Sequence, residues 1–142
     1  MLIRSTCLAA AIALAGGVLA AAVSPGAPQT TRSWNLGADA DTKKNPVPAT
    51  ATTLEAGKAL FKDKCARCHG PGGTGDGPDA DPDATEMDLT NPKRAARNPD
   101  GVVYYKVLNG KQRPKMPAFK DELSEEQIWS VVAYVQSIRK QP

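Results

Sequence analysis

The sequence predicts a small all-α domain with three main helices and long loops. Three observations lead there. Apolar residues recur at helical spacing in three separate stretches. No alternating apolar run reaches strand length. The span between the first two stretches, Gly70 to Pro99, is rich in Gly, Pro and Asp and reads as loop.

The first helix is expected over Leu54 to Lys64. Thr53 stands where an N-cap is needed, Glu55 suits the positive end of the helix dipole, and Leu54, Gly57, Leu60 and Phe61 share one face. The second is expected over Val102 to Leu108, where Val103, Tyr104, Val107 and Leu108 form a stripe that Asn109-Gly110 stops. The third is the clearest. Ser124 caps it, Gln127 completes a capping box, and Ile128, Val131, Val132, Val135 and Ile138 form one stripe. Arg139 and Lys140 complement its C-terminal end. A structureless loop as long as 70–99 ordinarily argues against an assignment, unless a bound group gives it a surface to pack on.

Three segments are expected along the 142 residues. Residues 1–22 have the layout of an export signal: Arg4, an apolar run from Leu8 to Leu19, then Ala20 and Ala22 at the −3 and −1 positions of a cut. That run falls short of the ~20 apolar residues of a spanning helix, so an uncleaved membrane anchor is the minor alternative. Cys7 has no apolar run before it and leaves with the signal. Residues 23–52, with Pro25, Pro28, Pro46 and Pro48 and few large apolar side chains, read as a flexible lead-in or tether. On this reading Trp34 is part of a solvated linker, with local docking as the alternative. Residues 53–142 hold the domain, and so few residues make only a small core.

The charge balance, 18 basic against 15 acidic side chains, excludes a nucleic-acid-binding composition. Its distribution is uneven. Asp76, Asp79, Asp81, Asp83, Glu86 and Asp88 crowd one loop, whereas Lys93, Arg94, Arg97, Lys106, Lys111, Arg113, Lys115 and Lys120 face Asp100 alone over 93–120.

Once the signal is gone, two cysteines and one histidine remain, all within Cys65-Ala66-Arg67-Cys68-His69. C-x-x-C-H is the haem c attachment pattern. Thiols three positions apart lie on nearly the same face of a helical turn. They suit thioether bonds to the two vinyl groups of one porphyrin, and the next residue, His69, is carried to the iron. A structural zinc site needs four ligands, and this cluster offers three. A thioredoxin-like pair expects a βαβ context that the pattern lacks. A plain disulfide leaves His69 unexplained. The expected cofactor is one covalent haem c.

No other histidine is present to fill the second axial position. Met116, in Lys115-Met116-Pro117-Ala118-Phe119, lies outside any helix stripe and is the expected ligand, since a thioether suits the iron and raises its potential. Met87 and an open position are the alternatives. The expected site is therefore Cys65, Cys68, His69 and Met116, with His69 and Met116 on the metal.

These residues resemble the class I cytochrome c family in its bacterial single-haem form, over about Thr53 to Lys140. Gly57 and Phe61 look like that family's helix-contact pair, and Cys65 to Gly70 like its haem motif. Gly75-Asp76-Gly77-Pro78 and Asp88-Leu89-Thr90 look like its loops below the haem. Asn109-Gly110 followed by Met116-Pro117-Ala118-Phe119 looks like its ligand region, and Ile128-Trp129 with Ala133-Tyr134-Val135 like its last helix. The resemblance implies a first and last helix crossing near Gly57 and Tyr134. It also implies the Pro78 carbonyl as acceptor for the His69 ring N–H, with a simple turn residue as the alternative, and offers Tyr104, Tyr105, Trp129 and Arg113 either as haem propionate contacts or as core and solvated surface. It implies a periplasmic one-electron carrier rather than an enzyme, working between redox protein partners as a monomer or subunit. Partners acidic at the docking face are expected, because Lys111, Arg113 and Lys115 crowd the ligand loop. A subunit of a larger dehydrogenase or reductase, and a haem sensor or enzyme with a labile distal ligand, are the competing readings. No nucleic acid is expected, and membrane contact only if the N-terminal segment is uncleaved.

Overall fold

The computed structural model describes residues 34–113 and 115–139; the expected export signal lies outside the described residues. Helix α1, Ala51–Lys64, starts three residues earlier than expected. Two threonines compete for its cap. Thr50 takes the extended N-cap conformation and its hydroxyl accepts from the Thr53 amide at 3.2 Å, so Thr53 becomes a helical residue. Helix α2, Ala66–His69, is one further turn that Gly70 closes at φ 75°. Helix α3 is the short Pro92–Ala95 and α4 is Asp100–Asn109, ended by Gly110 at φ 62°. Helix α5, Glu125–Ser137, has both halves of the expected capping box: Ser124 accepts from the Gln127 amide and Gln127 from the Ser124 amide. The described residues hold no strand, only an isolated antiparallel bridge between Lys111 and Met116.

Gly57 decides how α1 meets α5. A Cβ there would lie 2.1 Å from the Ser130 carbonyl oxygen and 3.0 Å from Tyr134 Cβ, so only glycine allows this approach. One turn on, the Phe61 ring packs on Tyr134 with centroids 5.3 Å apart. Ile128, Val131, Val132 and Val135 bury the predicted stripe of α5, and Trp129 stacks on Tyr104 of α4 at 4.2 Å. The stripe and the α1–α5 crossing are as the sequence implied.

The segment 70–99 carries more local structure than expected. A 3-10 turn forms at Thr85–Met87. Asn91 caps α3, Asp81 accepts from the Asp83 amide, and Asp88 accepts from both the amide and hydroxyl of Thr90. These are short-range side-chain-to-backbone bonds of the kind Asp and Asn form in turns. Of the acidic run, Asp81 and Asp88 serve these turns, whereas Asp79 pairs with Arg67 and Glu86 with Lys111.

The lead-in needs correction. Residues 34–45 are laid along α4 instead of hanging free. The Asn109 amide donates to the Asn35 carbonyl at 2.7 Å, the Tyr105 hydroxyl to Asp39 at 2.7 Å, and the Asn45 amide to Asp100 at 3.1 Å. The Asn45 side chain also donates to the Trp129 carbonyl at 2.9 Å. Ala40 is buried and Val47 packs on the core cluster. A polar segment can dock without a core of its own because α4 offers it hydrogen bonds at one-turn intervals. Composition counts apolar side chains and misses this.

Candidate haem site

Cys65 closes α1 and α2 follows at once. The Cys68 and His69 amides donate back to the Cys65 carbonyl at 3.2 and 3.0 Å, so the two thiols and the imidazole belong to one helical turn. All three line one cleft. Burial, then Cys68 and Asp63, pushes the Cys65 thiol up to about 12. That is the opposite of an activated redox cysteine and weighs against a dithiol-exchange role. Burial also lowers the His69 pKa, against the opposing pull of the Met87 carbonyl, and keeps the ring in the neutral form that binds metals.

The acceptor for His69 differs from the one expected. Nδ1 lies 2.8 Å from the Met87 carbonyl oxygen, which requires the proton on Nδ1 and leaves Nε2 as the free donor atom. Pro78 is held elsewhere. The Asp79 amide bonds to the Arg67 carbonyl at 2.8 Å, and a Cβ on Gly77 would lie 2.2 Å from that same oxygen, so this loop rests on the backbone of Ala66 and Arg67. Met87 is positioned by its 3-10 turn, by the Leu89 amide bonded to the Gly73 carbonyl at 2.7 Å, and by Gly75, packed against it at φ 82°.

Met116 lines the same cleft as His69. It is half-buried, and its amide and carbonyl both pair with Lys111 at 2.8 Å, which fixes the loop that carries it. Phe61, Leu89, Val103, Val107, Phe119, Val131 and Val135 supply an apolar lining. Mouth and adjoining open solvent included, the space is about 1090 Å³.

One wall is cationic. Arg94, Lys106 and Arg139 line it, and Lys111 stands beside it with Nζ 3.5 Å from Glu86. Burial and the neighbouring charges of Lys111, Arg139 and Arg94 push Lys106 down to about 8. Arg139 donates to the Asn98 carbonyl at 2.6 Å, but its buried Nε has no partner among the described residues. The acidic groups here, Glu86 and Asp88 in the lining and Asp100 acting on Arg139, are fewer than the cations Arg94, Lys106, Lys111 and Arg139, and positive charge left over in a partly buried site is costly. An apolar macrocycle carrying two carboxylates matches both the lining and this wall, so the residues present fit haem.

The family profile described as cytochrome c oxidase, cbb3-type, subunit III matches residues 52–135. Cytochrome c6 of Picosynechococcus sp. is 34% identical over 91 residues, covering 63% of this chain and 76% of that protein. Cytochrome c6 of Synechococcus sp. is 36% identical over 93 residues, covering 63% and 73%. The chain belongs to the single-haem, class I c-type cytochromes. As a c-type cytochrome it carries covalent haem c and serves as an electron carrier. A chain of the Kuenenia stuttgartiensis reducing HAO-like protein complex Kustc0457/Kustc0458 has a similar fold, with a TM-score of 0.52 and 30% identity over 67% of this cytochrome. This cytochrome spans about half of that chain, 47%.

The structure brings Cys65, Cys68, His69 and Met116 to one cleft, whereas four residues named for the propionates do not line it. Tyr104 and Trp129 stack on each other in the core, Tyr105 bonds to Asp39, and Arg113 is exposed. The cytochrome instead presents Arg94, Lys106, Arg139 and, from the lead-in, Trp34. Lys106 was legible in part: it follows Val103 by three positions on the cleft face of α4.

Proposed function

We propose that this cytochrome is an exported one-electron carrier in which Cys65 and Cys68 hold the haem, and His69 and Met116 are the axial ligands. The haem supplies a one-electron Fe(III)/Fe(II) couple. The chain's own residues bind it, keep His69 neutral and oriented through Met87, and exclude water with the Phe61, Val107 and Phe119 surface. The observation that carries this reading is that Met116, held at both backbone atoms by Lys111, lines the same cleft as His69. With both axial positions filled, no substrate reaches the iron. The test is optical. The oxidised protein should show a Met–Fe(III) charge-transfer band that Met116→Ala removes, and the untreated reduced protein should bind carbon monoxide slowly. Rapid binding in the unmodified protein would put an open iron, and so a sensor or enzyme, in its place.

Export rests on the layout of residues 1–22. Haem staining of the periplasmic fraction, together with a mature N-terminus after Ala22, tests it. No described helix is long and apolar enough to cross a membrane. Docking rests on Arg113, Lys115 and Lys120, which are exposed around the Met116 loop, whereas Lys111 is drawn inward to Glu86. An acidic redox partner is favoured there, with an on-rate that falls as salt rises; a salt-independent rate counts against it. A second reading, a fixed subunit of a larger oxidoreductase, is supported by the family profile's subunit description and the likeness to a chain of a complex. Co-purification with a dehydrogenase or reductase would favour it.

A further inference from the structure

Trp34 lies outside the residues that the family profile matches, yet it lines the haem cleft. Lys106 Nζ stands 4.8 Å from its ring centroid and Lys111 Nζ 5.0 Å, both within cation–π range. Its place is set by the segment that follows it. That segment runs antiparallel to α4, touching Asn109 through Asn35, Tyr105 through Gly37 and Asp39, Gly101 through Ala40, and Asp100 through Asn45. The packing is close. A Cβ on Gly37 would lie 2.2 Å from the Tyr105 ring, and one on Gly101 2.4 Å from the Ala40 carbonyl oxygen. The same helix sends Val103, Lys106 and Val107 into the cleft. The strap is therefore fastened to a cleft wall along its length, and its first described residue is delivered to the rim.

We propose that residues 34–47 are a strap that makes Trp34 part of the cofactor site, where its indole covers the haem beside Lys106 and Lys111 and keeps water from it. The proposal rests on haem occupying this cleft and not on which side chain completes the iron. Water near the iron stabilises the more highly charged Fe(III) state, so an apolar cover raises the reduction potential.

The test uses full-length holoprotein. Trp34→Ala should lower the reduction potential, while Trp34→Phe restores most of it. Tyr105→Phe, which releases Asp39, should move the potential in the same direction but add nothing in the Trp34→Ala background, because it acts through Trp34. An unchanged potential in Trp34→Ala overturns the proposal. So does a Tyr105→Phe shift of equal size with and without Trp34, which would make the strap a stability element alone. The Met–Fe(III) band should survive in Trp34→Ala; its loss there would assign the shift to the ligand loop and also overturn the proposal. A band absent from the unmodified protein would defeat the Met116 assignment and leave the Trp34 comparison readable.

Discussion

The two walls of the cleft are built by different means. The wall around His69 is short-range: Cys65, Cys68 and His69 share one turn, and the imidazole's partner, Met87, is 18 residues away. The opposite wall is long-range. Trp34, Arg94, Lys106, Met116 and Arg139 come from the strap, α3, α4, the Met116 loop and the end of α5. The first wall needs only its helical turn and the loop that follows it, up to Leu89. The second exists only once α1, α4 and α5 are packed, so it should respond to changes far from the haem.

The largest effect is expected on the short-range wall. His69→Ala removes the proposed iron ligand and leaves the Met87 carbonyl without its donor. Loss of an outer-shell partner alone costs ~10–100-fold in metal affinity, and loss of the ligand should exceed that. Haem-stained protein should fall to a trace beside an equal amount of Met116→Ala holoprotein. Equal accumulation of the two would erase the difference between the walls.

Gly57→Ala should separate the walls without touching either. The added Cβ meets the Ser130 carbonyl oxygen, a backbone atom that cannot swing aside. Overpacking of this kind costs ~1–3 kcal/mol, which denaturant unfolding of the holoprotein would show. If α5 shifts, the reduction potential changes while the His69 coordination signature stays. Ser124→Ala is expected to be milder: one half of the capping box is lost, at about 1 kcal/mol, with no change in potential.

Legibility in the sequence divides along the same line. Helix α5 was readable because its capping box and apolar stripe are local patterns, and C-x-x-C-H because its chemistry fits in five residues. The Gly57–Tyr134 crossing came through family resemblance. Pro78 was the wrong acceptor because the loop after α2 folds onto the backbone of Ala66 and Arg67, which spacing does not reveal. Trp34 was read as linker because its anchors, Asn35, Asp39 and Asn45, are polar. Their partners, Asn109, Tyr105 and Asp100, are 55 to 74 positions away. Arg139 was assigned to the dipole of α5, a surface role, although it also lines the cleft.

The smallest expected effect tests whether the long-range wall receives the haem carboxylates. Burial, then Lys111, Arg139 and Arg94, depresses Lys106 to about 8, below its ordinary 10.5. Unrelieved, that depression costs stability below pH 8, and the cost is lifted as pH rises from 8 towards 10.5, where the unfolded chain binds the extra proton. It would also place a titration near the iron: losing a positive charge there disfavours Fe(II), so the potential would fall through pH 8. Carboxylates against Lys106 favour its charged form and return its pKa upwards. The potential of the holoprotein should therefore stay level from pH 7 to 9, and Lys106→Met should lower it uniformly. A fall centred near pH 8 that Lys106→Met abolishes would mean that the carboxylates lie elsewhere and that this wall stays unneutralised when haem is bound.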